Sequence, residues 1–323
     1  MNDPEYWWDR SGAADREIRR LEKLLSPFRH RPARQRLYVG YTQAGLALAA
    51  VIVLFWLSGP GVDRRATAWS VHVLTGAPTI ASLPVSDSGK ITVGQWLLTD
   101  DSSAADITLA DVGRVRVEPR SRLRLIGSDS LGYRLRLEEG MIHAALWAPP
   151  RLVMVETPAA LVVDLGCEYT LAVDELGHGR LCVETGWVSL ERGERMALVP
   201  SGAQCEMRPG TGPGTPYLAG ASPDYLEMLR AFDFEPGAPD RAQELIDRAS
   251  SCDAFSLVYL VDRVAPHQRG QIFDRVSALY PPWVGITRAG IVNLESSMVA
   301  TWQDQFECFE SEQCRASCLP EVL

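Results

Sequence analysis

The sequence predicts a mainly β module that follows one transmembrane helix and precedes a C-terminal α-helical bundle. Three observations support this fold class. Residues 37–62 carry no charged side chain. From residue 69 to residue 208, short alternations of apolar and polar residues recur between glycine-containing turns, as in all-β proteins. Beyond residue 222 the apolar residues follow the period of an α-helix.

The length and charge of the chain limit the classes of function. The chain has 323 residues and a formal net charge of −9. A chain of this length usually holds more than one domain. A protein that binds duplex nucleic acid needs a clustered basic face, so nucleic acid is not expected as a partner.

The uncharged run predicts a transmembrane helix over residues 37–59. About 20 apolar residues in a helix are enough to cross the hydrocarbon core of a bilayer. Tyr38, Tyr41 and Trp56 lie near the two ends of the run, where aromatic residues meet the headgroups. A buried helix of a globular domain is the alternative, and a cleaved signal peptide fits less well because the apolar run is too long.

Basic residues on one flank of this run predict its orientation. Basic residues close to a membrane span stay in the cytoplasm, and four arginines precede the run, namely Arg29, Arg31, Arg34 and Arg36. We therefore expect a single-pass protein of the bacterial inner membrane, in contact with its lipid. Its N-terminus would be cytoplasmic and its C-terminal region periplasmic.

The N-terminal residues 1–36 predict a cytoplasmic tail with one amphipathic helix. Ile18, Leu21 and Leu25 recur at helical spacing, and Trp7 and Trp8 are large apolar groups in a polar stretch. These five residues are candidates for binding a partner, because a short amphipathic helix can dock into a groove. Alternatively, the helix lies on the lipid headgroups with its arginines facing anionic lipid.

The alternating region predicts an all-β domain over residues 69–208. In Val115-Arg116-Val117 and Leu135-Arg136-Leu137, arginine fills the alternate position, which suits a sheet with one solvated face. Many short strands separated by turns are typical of a β-roll, a solenoid-like stack or a sandwich.

A series of motifs follows one order along this domain: Gly113 before a Val-Arg-Val strand, Pro119-x-Ser121-x-Leu123, Leu137-x-x-Gly140-Met141-Ile142, Val155-x-Thr157-Pro158-Ala159, Val163-Asp164-Leu165-Gly166, Val183-x-x-Gly186-Trp187-Val188 and Val199-Pro200-x-Gly202. Their order resembles the FecR domain, mainly over residues 90–205. The resemblance implies a domain outside the inner membrane that receives a signal from a protein partner in the periplasm or outer membrane. It also implies that the cytoplasmic tail controls an extracytoplasmic-function sigma factor.

The C-terminal region divides into a linker and a helical domain. Residues 209–222 are rich in glycine and proline, which is typical of a linker. Residues 223–323 show several short helical periods without a constant repeat length, so a bundle is favoured over a repeat array.

The histidines do not predict an active site. The chain has five, and none lies at a spacing typical of metal ligands. We therefore expect no catalytic, cofactor-binding or metal-binding residues and no cofactor. A periplasmic hydrolase would require His143 or His178 to converge with carboxylates that are distant in sequence.

The seven cysteines lie on the predicted outer side, where disulfides can form. Alternation places Cys167 on one face with Tyr169, and Cys205 on one face with Ala203, so both should point inward. They are either a disulfide pair or inert buried thiols. The cluster of Cys308, Cys314 and Cys318 predicts one disulfide and one remaining thiol.

Two functions follow from these features. The first is a non-enzymatic, single-pass membrane regulator or sensor. The second is a structural envelope protein that binds cell-wall polymer or another membrane protein. Carbohydrate binding would use aromatic platforms, for which Trp96, Trp147 and Trp187 are the candidates.

Overall fold

The structure is a computed structural model and describes residues 68–109, 112–129, 132–235 and 238–307. These residues belong to one compact unit, Asp63–Leu323. The predicted tail, residues 1–36, and the predicted membrane span, residues 37–59, both lie outside the described residues.

The β strands are short and follow one another closely along the chain. In chain order they are β1 Trp69–Thr75, β2 Thr79–Ile80, β3 Leu83–Pro84, β4 Ser88–Ile91, β5 Trp96–Leu98, β6 Ala104–Leu109, β7 Gly113–Val117, β8 Arg122–Asp129, β9 Gly132–Leu146, β10 Val153–Glu156, β11 Leu161–Asp164, β12 Glu168–Val173, β13 Gly179–Thr185, β14 Trp187–Arg192, β15 Arg195–Pro200, β16 Ala203–Arg208, β17 Gly212–Pro213 and β18 Tyr217–Leu218.

The strands pair into two sheets. Sheet A runs in the order β4, β1, β6, β7, β9, β12, β13 and β16, and both β17 and β18 pair with β16. Sheet B runs in the order β3, β2, β5, β8, β9, β10, β11, β14 and β15. The pairing of β9 with β10 is parallel, whereas the other described pairings are antiparallel.

Strand β9 belongs to both sheets. Its first half pairs with β8 in sheet B, and its second half, from Gly140, pairs with β12 in sheet A. Gly140 has φ +99°, a conformation that side-chain-bearing residues rarely adopt. A Cβ at this position would overlap the backbone and side chain of Ser121. Glycine is therefore required where the strand passes from one sheet to the other.

The alternation of buried and exposed residues accounts for the core between the sheets. In β7, Val115 and Val117 are fully buried while Arg114 and Arg116 are exposed. The same alternation in other strands directs apolar side chains to a single hydrophobic cluster. The burial of these side chains, each worth roughly 1.5–3 kcal/mol, is the main stabilising contribution.

The helices follow the last strand. They are α1 Pro223–Phe234, α2 Ala238–Arg248, α3 Ala254–Leu260, α4 Pro266–Leu279, α5 Arg288–Val292 and α6 Ser296–Glu307, with a 3₁₀ turn at Val261–Arg263. Ser222 caps α1 by accepting a hydrogen bond from the Tyr225 N–H. Below, these helices together are called the helical segment.

The fold class predicted from the sequence is wrong. The described ranges contain no helix that is long and apolar enough to cross a membrane. The C-terminal helices also do not form a bundle of their own, because they share one hydrophobic cluster with the sheets. Every residue of α3 is buried, and this helix contacts β18. A helix that is apolar on all sides must lie inside a larger core, which the sheets supply here.

The structure also differs from the predicted linker at residues 209–222. This stretch contains β17 and β18, and Tyr217 and Leu218 are buried. The backbone N–H of Thr215 donates to the carboxylate of Asp233 in α1 at 2.6 Å. Packing and hydrogen bonds to distant residues therefore hold a sequence whose composition alone is typical of a flexible linker.

Candidate functional site

A buried group of charged residues joins the helical segment to the strands. Asp233, near the end of α1, has a side chain that is 3% exposed. Its carboxylate contacts the guanidinium of Arg263 at 2.5 Å and that of Arg195 at 3.6 Å. Thr215 donates to it from both its backbone N–H and its hydroxyl. We call Asp233, Arg195, Arg263 and Thr215 the clamp.

The electrostatics of the clamp depend on one carboxylate between two cations. Burial lowers the pKa of Arg195, and the nearby charge of Arg263 lowers it further, while Asp233 opposes both effects. Asp233 is therefore the group that permits two guanidinium groups to lie together in a poorly solvated place. Arg195 is the first residue of β15, so the clamp connects this strand directly to α1.

A second ion pair connects α1 to sheet A. Arg230 donates from Nε and Nη2 to the Glu206 carboxylate, at 2.7–2.9 Å. These hydrogen bonds raise the pKa of Arg230. Glu206 lies in β16 and also faces Arg180 of β13 at 4.0 Å. The outer face of sheet A thus carries the acidic residue to which α1 attaches.

Cys205, one of the two cysteines predicted to point inward, lies beneath the clamp. It is a free, fully buried thiol whose Sγ donates to the Gly214 carbonyl at 3.5 Å. Burial raises its pKa strongly, and the negative charge of Asp233 raises it further. A thiol held in its protonated form in this way is a poor nucleophile.

Cys167, the other such cysteine, forms a buried pair with Asp164. It is also a free thiol, so the two cysteines do not form a disulfide with each other. The Cys167 thiol donates to the Asp164 carboxylate, and the Gly166 N–H donates to the same side chain at 3.2 Å. Burial raises the pKa of both Asp164 and Cys167. The pair lies in the core, where it shapes the turn before β12.

The raised pKa of Asp164 predicts a pH dependence of stability. Because its pKa is higher in the folded state, Asp164 favours folding below its unfolded-state pKa of about 3.9, and this contribution is lost as the pH rises through the folded-state pKa. We expect the stability of the native protein, relative to that of the non-titrating Asp164→Asn variant, to decline as the pH rises from about pH 3 through the pKa of Asp164 in the folded state. Urea unfolding of both proteins across this range measures the difference. A difference that is constant or rises with pH contradicts the prediction.

His143 converges with carboxylates on the outer face of sheet A. Its Nε2 lies 3.4 Å from Glu118, and its Nδ1 lies 2.7 Å from the Thr170 hydroxyl. That hydroxyl in turn donates to Glu184 at 3.1 Å. A histidine between a carboxylate and a hydroxyl resembles the arrangement in which histidine acts as a general base. Thr170 is only 5% exposed, however, so a substrate cannot reach its hydroxyl. The network links β9, β12 and β13 to Glu118, the residue that follows β7.

His178, the other histidine considered for a hydrolase, has a different carboxylate partner. His178 faces Asp174 at 3.2 Å within the turn between β12 and β13. Within the part of the chain that the structure describes, no group of three or more histidine, cysteine or acidic residues is placed to hold a metal ion.

Strand β15 is an edge of sheet B that carries two exposed apolar side chains. It is paired with β14, and no other described strand is hydrogen-bonded to it. Met196 and Leu198 point away from the core, and they are 67% and 36% exposed. Neighbouring residues Ala197 and Val199 are buried and hold the strand in place. An exposed apolar edge can accept a further strand from another protein.

The three predicted aromatic platforms have different environments. Trp147 is 68% exposed. Trp96 is partly buried, and the guanidinium groups of Arg122 and Arg124 lie 5.6 and 5.4 Å from its ring centre. Trp187 begins β14 and is partly buried. Trp147 is therefore the one of the three that offers a broad apolar surface to solvent.

The structure does not test the predicted partner-binding tail, because Trp7, Trp8, Ile18, Leu21 and Leu25 lie outside the described residues. Neither the clamp nor the edge at β15 was predicted from the sequence. The outward direction of Met196 could have been predicted, because Met196 and Leu198 alternate with Ala197 and Val199 in the sequence. No such pattern marks the clamp, because its members are spread from position 195 to position 263.

Comparison with known proteins gives similarity to solved structures over part of the chain. No family model matches the chain, and no curated protein matches it. Two crystal structures of a protein from Parabacteroides distasonis, solved at 1.65 and 2.50 Å and named as a candidate anti-sigma factor, are similar to part of it. Both have a TM-score of 0.33 and 18% sequence identity. The similarity covers 36% of this chain and 56% of the other, a little over half of that protein's length.

Proposed function

We propose that the chain is a non-enzymatic regulator that works by binding proteins, of the anti-sigma type implied by its FecR-like motifs. The observation that carries this proposal is the exposed edge at β15, with Met196 and Leu198 pointing into solvent. In the proposed function, this edge binds an extended segment of an envelope protein, and the tail at residues 1–36 passes the bound state to a sigma factor.

The chemistry of β15 favours a protein strand as its ligand. Addition of a strand to a sheet edge uses backbone hydrogen bonds for affinity and alternate side chains for specificity. Methionine is flexible and polarisable, so it adapts to partner side chains of different shapes. The clamp fixes Arg195 at the start of this strand, and a rigid edge loses little conformational freedom on binding.

The proposed location is the inner membrane, with the tail in the cytoplasm and the described unit in the periplasm. Two observations support it. Cys182 and Cys252 are disulfide-bonded, and structural disulfides are typical of oxidising compartments. Arginines are concentrated immediately before the uncharged run, and basic flanks remain in the cytoplasm.

One experiment tests both contacts. A photo-crosslinking amino acid at position 196 of the full chain, expressed in its native host, should crosslink to an envelope protein. The double change Met196→Asp and Leu198→Asp should reduce capture of that protein by at least about tenfold, because each charge would be buried at the interface. The double change Trp7→Ala and Trp8→Ala should instead reduce co-purification of a sigma factor.

The matched control is Leu176→Asp. Leu176 is 75% exposed in the turn between β12 and β13 of sheet A, so this change adds one such charge outside the proposed interface at β15 of sheet B. Capture that is unaffected by the β15 changes, or reduced equally by Leu176→Asp, contradicts binding at this edge. Absence of any sigma factor or other transcription component from the purified wild-type protein contradicts the anti-sigma role.

A structural envelope protein is the second candidate, and the exposure of Trp147 favours it. An exposed indole ring provides an apolar face on which a sugar can stack. Sedimentation of the full chain with purified cell-wall polymer distinguishes the two. This candidate predicts sedimentation that Trp147→Ala abolishes and that the β15 changes do not alter.

A further inference from the structure

Cys182 lies on the outer face of sheet A, yet it is buried. The flanking residues Leu181 and Val183 are fully buried in the core, so the alternation of β13 directs Cys182 to the opposite face. Its cross-strand neighbours are Thr170 in β12 and Gln204 in β16. Cys182 is nevertheless only 5% exposed.

The oxidation states of the described cysteines restrict the disulfide partner of Cys182. Cys182 and Cys252 are both disulfide-bonded, whereas Cys167 and Cys205 are free thiols. The chain has seven cysteines. The partner of Cys182 is therefore Cys252 or one of the three remaining cysteines, which are Cys308, Cys314 and Cys318. All four follow the strands in sequence.

The helical segment attaches to the same face of sheet A. Glu206 lies two positions beyond Gln204 in β16, so both residues share the face that carries Cys182. Arg230 of α1 forms its bidentate ion pair with Glu206. A disulfide from Cys182 would therefore fasten the C-terminal part of the chain beside an attachment that is already present.

We propose that a disulfide ties β13 of sheet A to the C-terminal part of the chain at position 252 or beyond, and that this bond holds the helical segment firmly on the sheet. The bond closes a loop of at least 70 residues, the separation of positions 182 and 252. Closing a loop of this size strongly restricts the unfolded chain and thereby stabilises the folded protein.

The chemistry is a two-electron exchange. Two cysteine thiols lose two protons and two electrons as the sulfur–sulfur bond forms, and a disulfide oxidant, such as a thiol oxidoreductase, is reduced to two thiols. In the reverse direction, a dithiol reductant breaks the bond, gains the new disulfide and restores both cysteine thiols.

Peptide mapping of the full chain under non-reducing conditions tests the connectivity. After alkylation of free thiols, the peptide with Cys182 should be disulfide-linked to a peptide that carries Cys252, Cys308, Cys314 or Cys318. Cys167 and Cys205 should be alkylated only after unfolding. A free Cys182, or Cys182 linked to Cys167, Cys205 or a second molecule, overturns the proposal even if no variant can be purified.

Thermal unfolding with and without a dithiol reductant tests the consequence. Reduction should lower the Tm of the wild-type protein by about 10 °C. In Cys182→Ser this effect of the reductant should be clearly smaller, whereas in the control Cys167→Ser it should equal that of the wild type. The same effect of the reductant in Cys182→Ser as in the wild type contradicts a stabilising role for the bond. Faster proteolysis of the helical segment after reduction would support that role, and an unchanged rate would count against it.

Discussion

Replacing Asp233 with alanine is expected to lower the free energy of unfolding by about 3–5 kcal/mol. The change removes the carboxylate that lies between Arg195 and Arg263 and leaves two guanidinium groups in a poorly solvated place without a counter-charge. It also removes the acceptor for two hydrogen bonds from Thr215. Urea unfolding at neutral pH, monitored by circular dichroism, measures the loss.

Glu235→Ala provides the matched control. Glu235 lies two residues further along the chain and pairs with Arg241 at 2.6 Å, but its side chain is 53% exposed. An exposed ion pair contributes at most about 1 kcal/mol. If Asp233→Ala costs no more than Glu235→Ala, the clamp does not hold α1 to the strands as described.

Replacing Gly140 with alanine is expected to destabilise the protein by about 3–5 kcal/mol, the sum of backbone strain and overlap in a packed region. The residue has φ +99°, and a Cβ would meet the backbone and side chain of Ser121, whose backbone cannot give way easily. The Ser121 hydroxyl is bonded to the Met141 carbonyl, so movement of Ser121 also disturbs β9. Urea unfolding measures the effect.

The Gly193→Ala variant measures the cost of backbone strain alone, without steric overlap of the added Cβ. Gly193 has φ +58°, and no atom lies within 4 Å of the position that a Cβ would take. Its replacement should therefore cost only the backbone term of roughly 1–2 kcal/mol. Equal losses for the two variants contradict the overlap with Ser121 as the cause at Gly140.

Part of the fold could be predicted from local pattern, because β strands with one buried face carry a period of two. The arginines at positions 114 and 116 mark the solvated face of β7, and Val115 and Val117 mark its buried face. The helical period after residue 222 likewise indicates α1 and α4. The pattern could not show that these helices share a core with the strands, because a helical period reveals which face is buried and not what covers it.

The clamp and the edge at β15 could not be predicted from the local sequence pattern, because both depend on contacts between residues that are distant in sequence. Asp233 looks like an ordinary surface acid at the end of an amphipathic helix, and its partners are Arg195, Thr215 and Arg263. Met196 and Leu198 belong to a recognisable strand, but whether a strand lies at an edge depends on which strands pair. The tertiary fold decides both features.

The sharing of β9 by the two sheets has a consequence for how the sandwich loses its structure. Hydrogen bonds to β8 hold one half of this strand and hydrogen bonds to β12 hold the other, and there is no break in the chain between the halves. If either sheet unfolds, β9 loses half of its hydrogen bonds, and the other sheet loses the support of a strand that it needs. The two layers are therefore expected to melt as a single cooperative unit, with no partly folded species that keeps one layer alone.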